Sequence, residues 1–111
     1  MPHRRLNVLD AARRAADGIT ALIDRSPRRL LHAGQLRRSA QAISANISEG
    51  FGRGPGRDRD PPLEIARGET EETIQHLSAN FRSNRIGPKD YWPLHNLLVV
   101  VVKMLNALLN R

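Results

Sequence analysis

Three breaks decide what this chain can become: Ser26-Pro27, the glycine-rich stretch opening at Gly50, and Gly87-Pro88. Proline disfavours helical geometry in the residue before it, and clustered glycines favour no regular element. Between the breaks, apolar residues recur at intervals of three and four, the signature of one helical face. In the first segment, about 7–24, Val8, Ala12, Ala15, Ala16, Ile19, Leu22 and Ile23 make the stripe. Asn7 is placed to cap it, and Asp10 stands where the helix dipole favours a carboxylate. The second segment, about 30–49, carries Leu36, Ala40, Ile43 and Ile47, with Gly50 as the expected left-handed stop. The third, about 61–86, opens with Asp60 as cap and Pro61 in the first turn, and aligns Leu63, Ala66, Thr70, Thr73, Leu77 and Phe81.

The fourth segment, about 90–110, has the β-branched density of a buried strand over residues 97–102. Length decides for a helix: 21 residues run without an interior turn signal, and Leu94, Leu98, Val101, Leu105 and Leu108 keep helical spacing. Val99, Val100 and Val102 widen that stripe almost around the helix. The segment is therefore expected at the centre of a bundle or against another subunit. Four rods of roughly 24 to 38 Å, joined by short or Gly/Pro connections, predict an all-α, antiparallel up-down-up-down four-helix bundle. It is expected to be one domain over residues 1–111, since half of such a chain would bury too little core. The stretch 50–60, with four glycines and three arginines, reads as a mobile loop. It is no phosphate loop, because no Gly-Lys-Ser/Thr follows it and no strand precedes it.

Composition removes several functions. With no cysteine, the chain has no disulfide framework, thiolate zinc site or thiol nucleophile. Its amino terminus has no apolar run behind the basic residues, so no signal peptide is read there. The longest uninterrupted apolar run, residues 97–102, holds six residues, against the roughly 20 that cross a bilayer. Arg13 and Arg14 lie opposite an alanine-rich face lacking Trp and Phe, poor material for interfacial insertion. A cytoplasmic protein without membrane attachment is the expectation. Di-iron bundles need Glu-x-x-His pairs, whereas Glu72 and His76 are four apart and position 75 is Gln. His3, His32, His76 and His95 are too scattered for a ligand set, and Ser39, Ser44 and Ser48 lack a neighbouring His/Asp arrangement. No enzyme, metal or cofactor is expected.

The net charge of +7 is lopsided. Residues 1–59 hold twelve arginines against five carboxylates, an excess of seven, while residues 60–111 balance six against six. Sixteen of the eighteen cations are arginine, which grips phosphate bidentately and stacks on bases. Arg13, Arg14, Arg28, Arg29, Arg53, Arg57 and Arg59 are the candidate nucleic-acid contacts, RNA or DNA, read by shape and charge rather than by sequence. The bland alternative is that they solvate helix surfaces and pair with Asp10, Asp17 and Asp24. With four aromatic residues, Phe51, Phe81, Tyr91 and Trp92, base stacking has little material. A structural scaffold that binds another protein is the competing role, supported by the wide apolar surface of the fourth segment.

In the second segment Arg38, Ala42, Asn46 and Glu49 stack along one side. If this polar stripe faces inward it needs partners, and an Arg38–Glu72 pair bridged by Asn46 would satisfy it.

The residues Gln35-Leu-Arg-Arg-Ser-Ala40, then Ile43-Ser-Ala-Asn-Ile-Ser-Glu-Gly-Phe-Gly-Arg53, then Ala66-Arg-Gly-Glu-Thr-Glu-Glu72, resemble the signature of a four-helix-bundle family. That family was first noticed in open reading frames within intervening sequences of bacterial large-subunit ribosomal RNA genes. The resemblance covers about residues 6–109 and sets Arg38, Asn46, Ile47, Glu49, Gly50, Gly68 and Glu72 on motif positions. Ala42, Ser44 and Glu69 depart from the Ser, Pro and Ser usual there, and without hydroxyls at 42 and 69 the chain is not expected to copy the family's polar network in full. The resemblance implies a cytosolic, non-enzymatic bundle assembling into a ring, usually a homopentamer. A similar fold serves diversity-generating retroelements, where a basic pentamer associates with reverse transcriptase and nucleic acid.

Overall fold

The computed structural model describes residues 7–110, so His3 and the amino-terminal basic residues lie outside the described part. Four helices follow one another: α1 (Val8–Arg25), α2 (Ala33–Gly52), α3 (Asp60–Arg82) and α4 (Pro88–Leu109), with a 3-10 turn, Arg57–Arg59, before α3. Each helix packs on its sequence neighbours and α4 closes on α1, while the diagonal pairs stay apart. That arrangement is an up-down-up-down bundle.

α1 forms as its pattern dictates. The Asn7 side chain accepts the Asp10 amide at 2.9 Å, and Val8, Ala11, Ala12, Ala15, Ala16, Ile19, Leu22 and Ile23 are buried. Four alanines on that face let its neighbours approach closely. α4 is a helix throughout, and Tyr91, Leu94, Leu98, Val101 and Leu105 bury its inner side. Pro88 occupies its first turn, where a missing amide costs nothing, so it begins two residues before the expected 90.

The expected stop at Gly50 is wrong. α2 continues to Gly52, and the left-handed residue is Gly54, at φ 87°. Gly50 is instead buried against α3: a β-carbon there would stand 2.8 Å from Leu63 Cδ2 and 3.3 Å from the Arg59 carbonyl oxygen. Its small size serves packing. Most of the 50–60 stretch read as a loop is therefore helical, leaving residues 53–56 as the connection. Arg53 reinforces it by donating to the Asp58 carbonyl at 3.2 Å and to Glu49 at 2.7 Å.

α3 also ends before the expected 86. Asn84 takes the left-handed conformation at φ 61°, its amide reaches the Phe81 carbonyl at 3.1 Å, and the Arg85 amide reaches the Asn80 carbonyl at 2.8 Å. This pair of bonds is a Schellman stop in which Asn replaces the usual Gly.

Candidate nucleic-acid interface

Alternating helix directions bring the α1–α2 and α3–α4 connections to one end of the bundle. Buried Asn80 joins them, accepting the Leu31 amide at 2.7 Å and donating to the Leu31 carbonyl at 3.2 Å. Two arginines complete the join: Arg29 donates to the carbonyls of Asn84 and Arg85, both at 2.9 Å, and Arg85 donates back to the Arg29 carbonyl at 2.9 Å. Carbonyl acceptors fix the guanidinium groups without cancelling their charge.

Residues 24–37 and 82–90, which make this end, hold seven cations (Arg25, Arg28, Arg29, Arg37, Arg82, Arg85 and Lys89) against Asp24 and Asp90. Five of the seven formal charges in excess thus belong to one end. Two exposed ion pairs trim the field locally, Arg25–Asp90 at 3.0 Å and Arg37–Asp24 at 2.6 Å. The even balance read over residues 60–111 hid this concentration: Arg82, Arg85 and Lys89 come to the basic end, while the carboxylates of α3 lie along its length. The sequence reading missed these three because Arg28 and Arg29, their companions in the patch, stand more than fifty residues away in the chain, and it passed over Arg25 and Arg37 as well.

The seven candidate arginines do not form one surface. Arg28 and Arg29 lie at the basic end, whereas Arg53, Arg57 and Arg59 lie at the other, about 30 Å away along the 20 residues of α2. There three arginines meet Glu49, Asp58 and Asp60, so residues 49–60 carry no net charge. Arg13 and Arg14 are exposed on α1, each within three or four residues of both Asp10 and Asp17. The bland reading fits that face.

The inward Arg38–Glu72 pair is not formed. Arg38 is exposed and has no hydrogen bond or ion pair among the described residues. Half-buried Asn46 donates to the Ala42 carbonyl at 2.9 Å, exposed Glu49 binds Arg53, and Glu72 stands 3.4 Å from His76 Nε2. The polar contact across the α2–α3 seam belongs to buried Ser39 and Thr73, whose hydroxyls meet at 2.8 Å. One residue along α2 turns a side chain by about 100°, which puts the hydroxyl inside and the guanidinium in water. A hydroxyl can bond a carbonyl of its own helix, as Thr73 does with Glu69 at 2.7 Å, whereas a buried guanidinium needs a full set of partners.

An aromatic group lies beside the basic end. Phe81 and Tyr91 stack with centroids 4.1 Å apart, and Trp92 meets Phe81, Tyr91 and His95 edge to face at 5.7, 4.8 and 5.3 Å. Tyr91 is buried, while Trp92 is 47% exposed. Among the described residues no group of three or more His, Asp or Glu could hold a metal ion.

The outer side of α4 is apolar as well. Pro93, Leu97, Val100, Met104 and Ala107 follow one another at steps of four, three, four and three, none of them fully buried. The stripe runs into an apolar groove of about 320 Å³ lined by Asn7, Val8, Phe51, Met104, Ala107 and Leu108. By length and composition the 22 residues of α4 suffice to cross a membrane. The run of six residues understated this, because Lys89, Asp90 and Lys103 are the only charges on the helix. Its inner side is nevertheless part of the bundle core.

Comparison with known proteins agrees with this architecture. The profile of a family described as 23S rRNA-intervening sequence protein matches residues 4–107. A crystal structure of a protein with unknown function from the S23 ribosomal protein family of Bacteroides thetaiotaomicron VPI-5482 superposes with a TM-score of 0.84. It is 24% identical and covers 94% of this chain and 99% of its own. At that identity the likeness concerns the fold. No curated protein sequence matches the chain.

Proposed function

Because the chain belongs to the 23S rRNA-intervening sequence protein family, we propose that it is a non-catalytic bundle that gathers into a ring, homopentameric as the resemblance implies, and binds nucleic acid through its basic end. The observation that carries the reading is the excess of five positive charges on residues 24–37 and 82–90. Arg29 and Arg85 hold their charge on backbone carbonyls, and Arg28 and Lys89 are exposed with no ion pair among the described residues. Such a surface attracts phosphate and releases counterions, so affinity falls steeply with salt and depends little on sequence. A ring multiplies a weak contact, since linked copies rebind at high effective concentration. The outward stripe on α4 supports self-association: its four-three spacing is that of a helix–helix seam.

Labelled RNA and duplex DNA titrated at two salt concentrations test the reading. Binding at low salt should weaken severalfold or more on doubling the salt, and an Arg28→Glu, Lys89→Glu double variant should lose at least tenfold while Arg57→Glu binds as wild type. Absence of binding at low salt, or equal loss in Arg57→Glu, overturns it. Mass in solution tests the ring. The same apolar surface favours one other reading, a scaffold whose ring binds a different protein; a ring that ignores nucleic acid but captures a protein encoded beside it in a pull-down would support that alternative, and a strict monomer would count against it.

A further inference from the structure

Trp92 is the sole tryptophan and, among the described residues, one of three large apolar side chains left exposed, with Phe51 and Ile65. Of the three, it alone stands at the basic end. It lies three residues after Lys89, and therefore beside it on the outer surface of α4. Its ring abuts Phe81, which Arg82 follows in the chain. Edge-to-face contacts with three rings from two helices hold the indole in place, so its free part is presented without loss of rotamer freedom on binding. Trp92 is also not part of the outward α4 stripe. Successive helical residues turn by about 100°, which puts Trp92 toward α3 and Pro93, Leu97 and Val100 toward the other side, so subunits meeting through the stripe leave the indole open.

A protein partner would suit an exposed tryptophan as well, but the surrounding excess of five positive charges favours a polyanion. A duplex keeps its base faces stacked inside and along its length offers an indole sugar, phosphate and the edges of bases in the grooves, with no open π-face. A single strand offers an unpaired π-face. We propose that Trp92 is a stacking platform for an unpaired base of single-stranded nucleic acid, whose flanking phosphates are held by Arg82, Arg85 and Lys89. The inference rests on the basic-end reading above and narrows it to strands that carry unpaired bases. RNA and DNA share the chemistry, and the two are separate arms of the test.

The full chain is titrated at low salt with a short single strand of RNA, the same strand of DNA, and the corresponding duplex. Both the fluorescence of the sole tryptophan and the anisotropy of the labelled nucleic acid are read. Stacking should quench Trp92 with the single strands and leave it unchanged with the duplex. Trp92→Ala should weaken single-strand binding about tenfold with duplex binding unaltered, and Trp92→Phe, which keeps a ring, should recover most of the loss. Circular dichroism confirms that both variants remain helical. No quenching, with Trp92→Ala binding single strands as wild type does, overturns the stacking site and leaves the basic end standing if the duplex still binds. Absence of binding to every form removes both.

Discussion

Gly50 and Gly68 are both helical, for opposite reasons. Gly50 has no room for a methyl group, because Leu63 and the Arg59 backbone occupy the space, whereas nothing lies within 4 Å of a β-carbon built on Gly68. Gly50→Ala should destabilise the bundle by about 1–3 kcal/mol through overpacking. Gly68→Ala should stabilise an isolated subunit by about 0.5–1 kcal/mol, the helix-propensity difference. Urea denaturation of the two variants checks both signs. Asn80 is the other decisive residue: Asn80→Ala leaves the Leu31 amide and carbonyl without their partner, and a loss of about 2–3 kcal/mol is expected in the same assay. Neither role was legible in sequence. A glycine at a helix end reads as a stop, and a lone Asn in a polar stretch reads as surface, unless the element it faces is known.

At the level of elements, spacing carried most of the information. The capped α1 and the helical identity of α4 followed from residue type, period and length, and the boundaries that differ were set by backbone chemistry outside the apolar pattern: Gly54 and Asn84 at the ends of α2 and α3, left-handed His32 before α2, which starts at Ala33 and not at 30, and Pro88 at the start of α4. The seam between α2 and α3 was misjudged by one residue, because a stripe of alternating size and polarity does not reveal which members reach the interior. Ser39→Ala and Thr73→Val should each cost about 1 kcal/mol, and the double variant less than the sum, by about 0.5 kcal/mol or more, since the surviving hydroxyl of each single variant has already lost its partner across the seam. Arg38→Ala should change stability by less than about 0.5 kcal/mol, as expected for an exposed side chain with no hydrogen bond or ion pair among the described residues. A double-mutant cycle by thermal or urea unfolding measures both.

For the whole molecule, net charge was legible and its placement was not: linear halves of the sequence are not the ends of the bundle. Folding moved Arg82, Arg85 and Lys89 beside Arg28 and Arg29, and set Arg53, Arg57 and Arg59 among carboxylates at the far end. The outward stripe on α4 gives the assembly prediction. Replacing Val100 with Glu puts a charge at the middle of the stripe, and should convert the proposed ring to monomers with little change in subunit helicity, as read by sedimentation and circular dichroism.

The reciprocal arginine bonds between the two connections at the basic end have a thermodynamic corollary. Arg29 and Arg85 tie each connection to the backbone of the other, so opening either one breaks bonds that hold its opposite, and amide exchange in residues 26–32 and 83–87 should slow or quicken together. A partner docking there meets a surface whose ordering entropy was lost during folding, and its encounter should release more solvent and ions than it freezes chain.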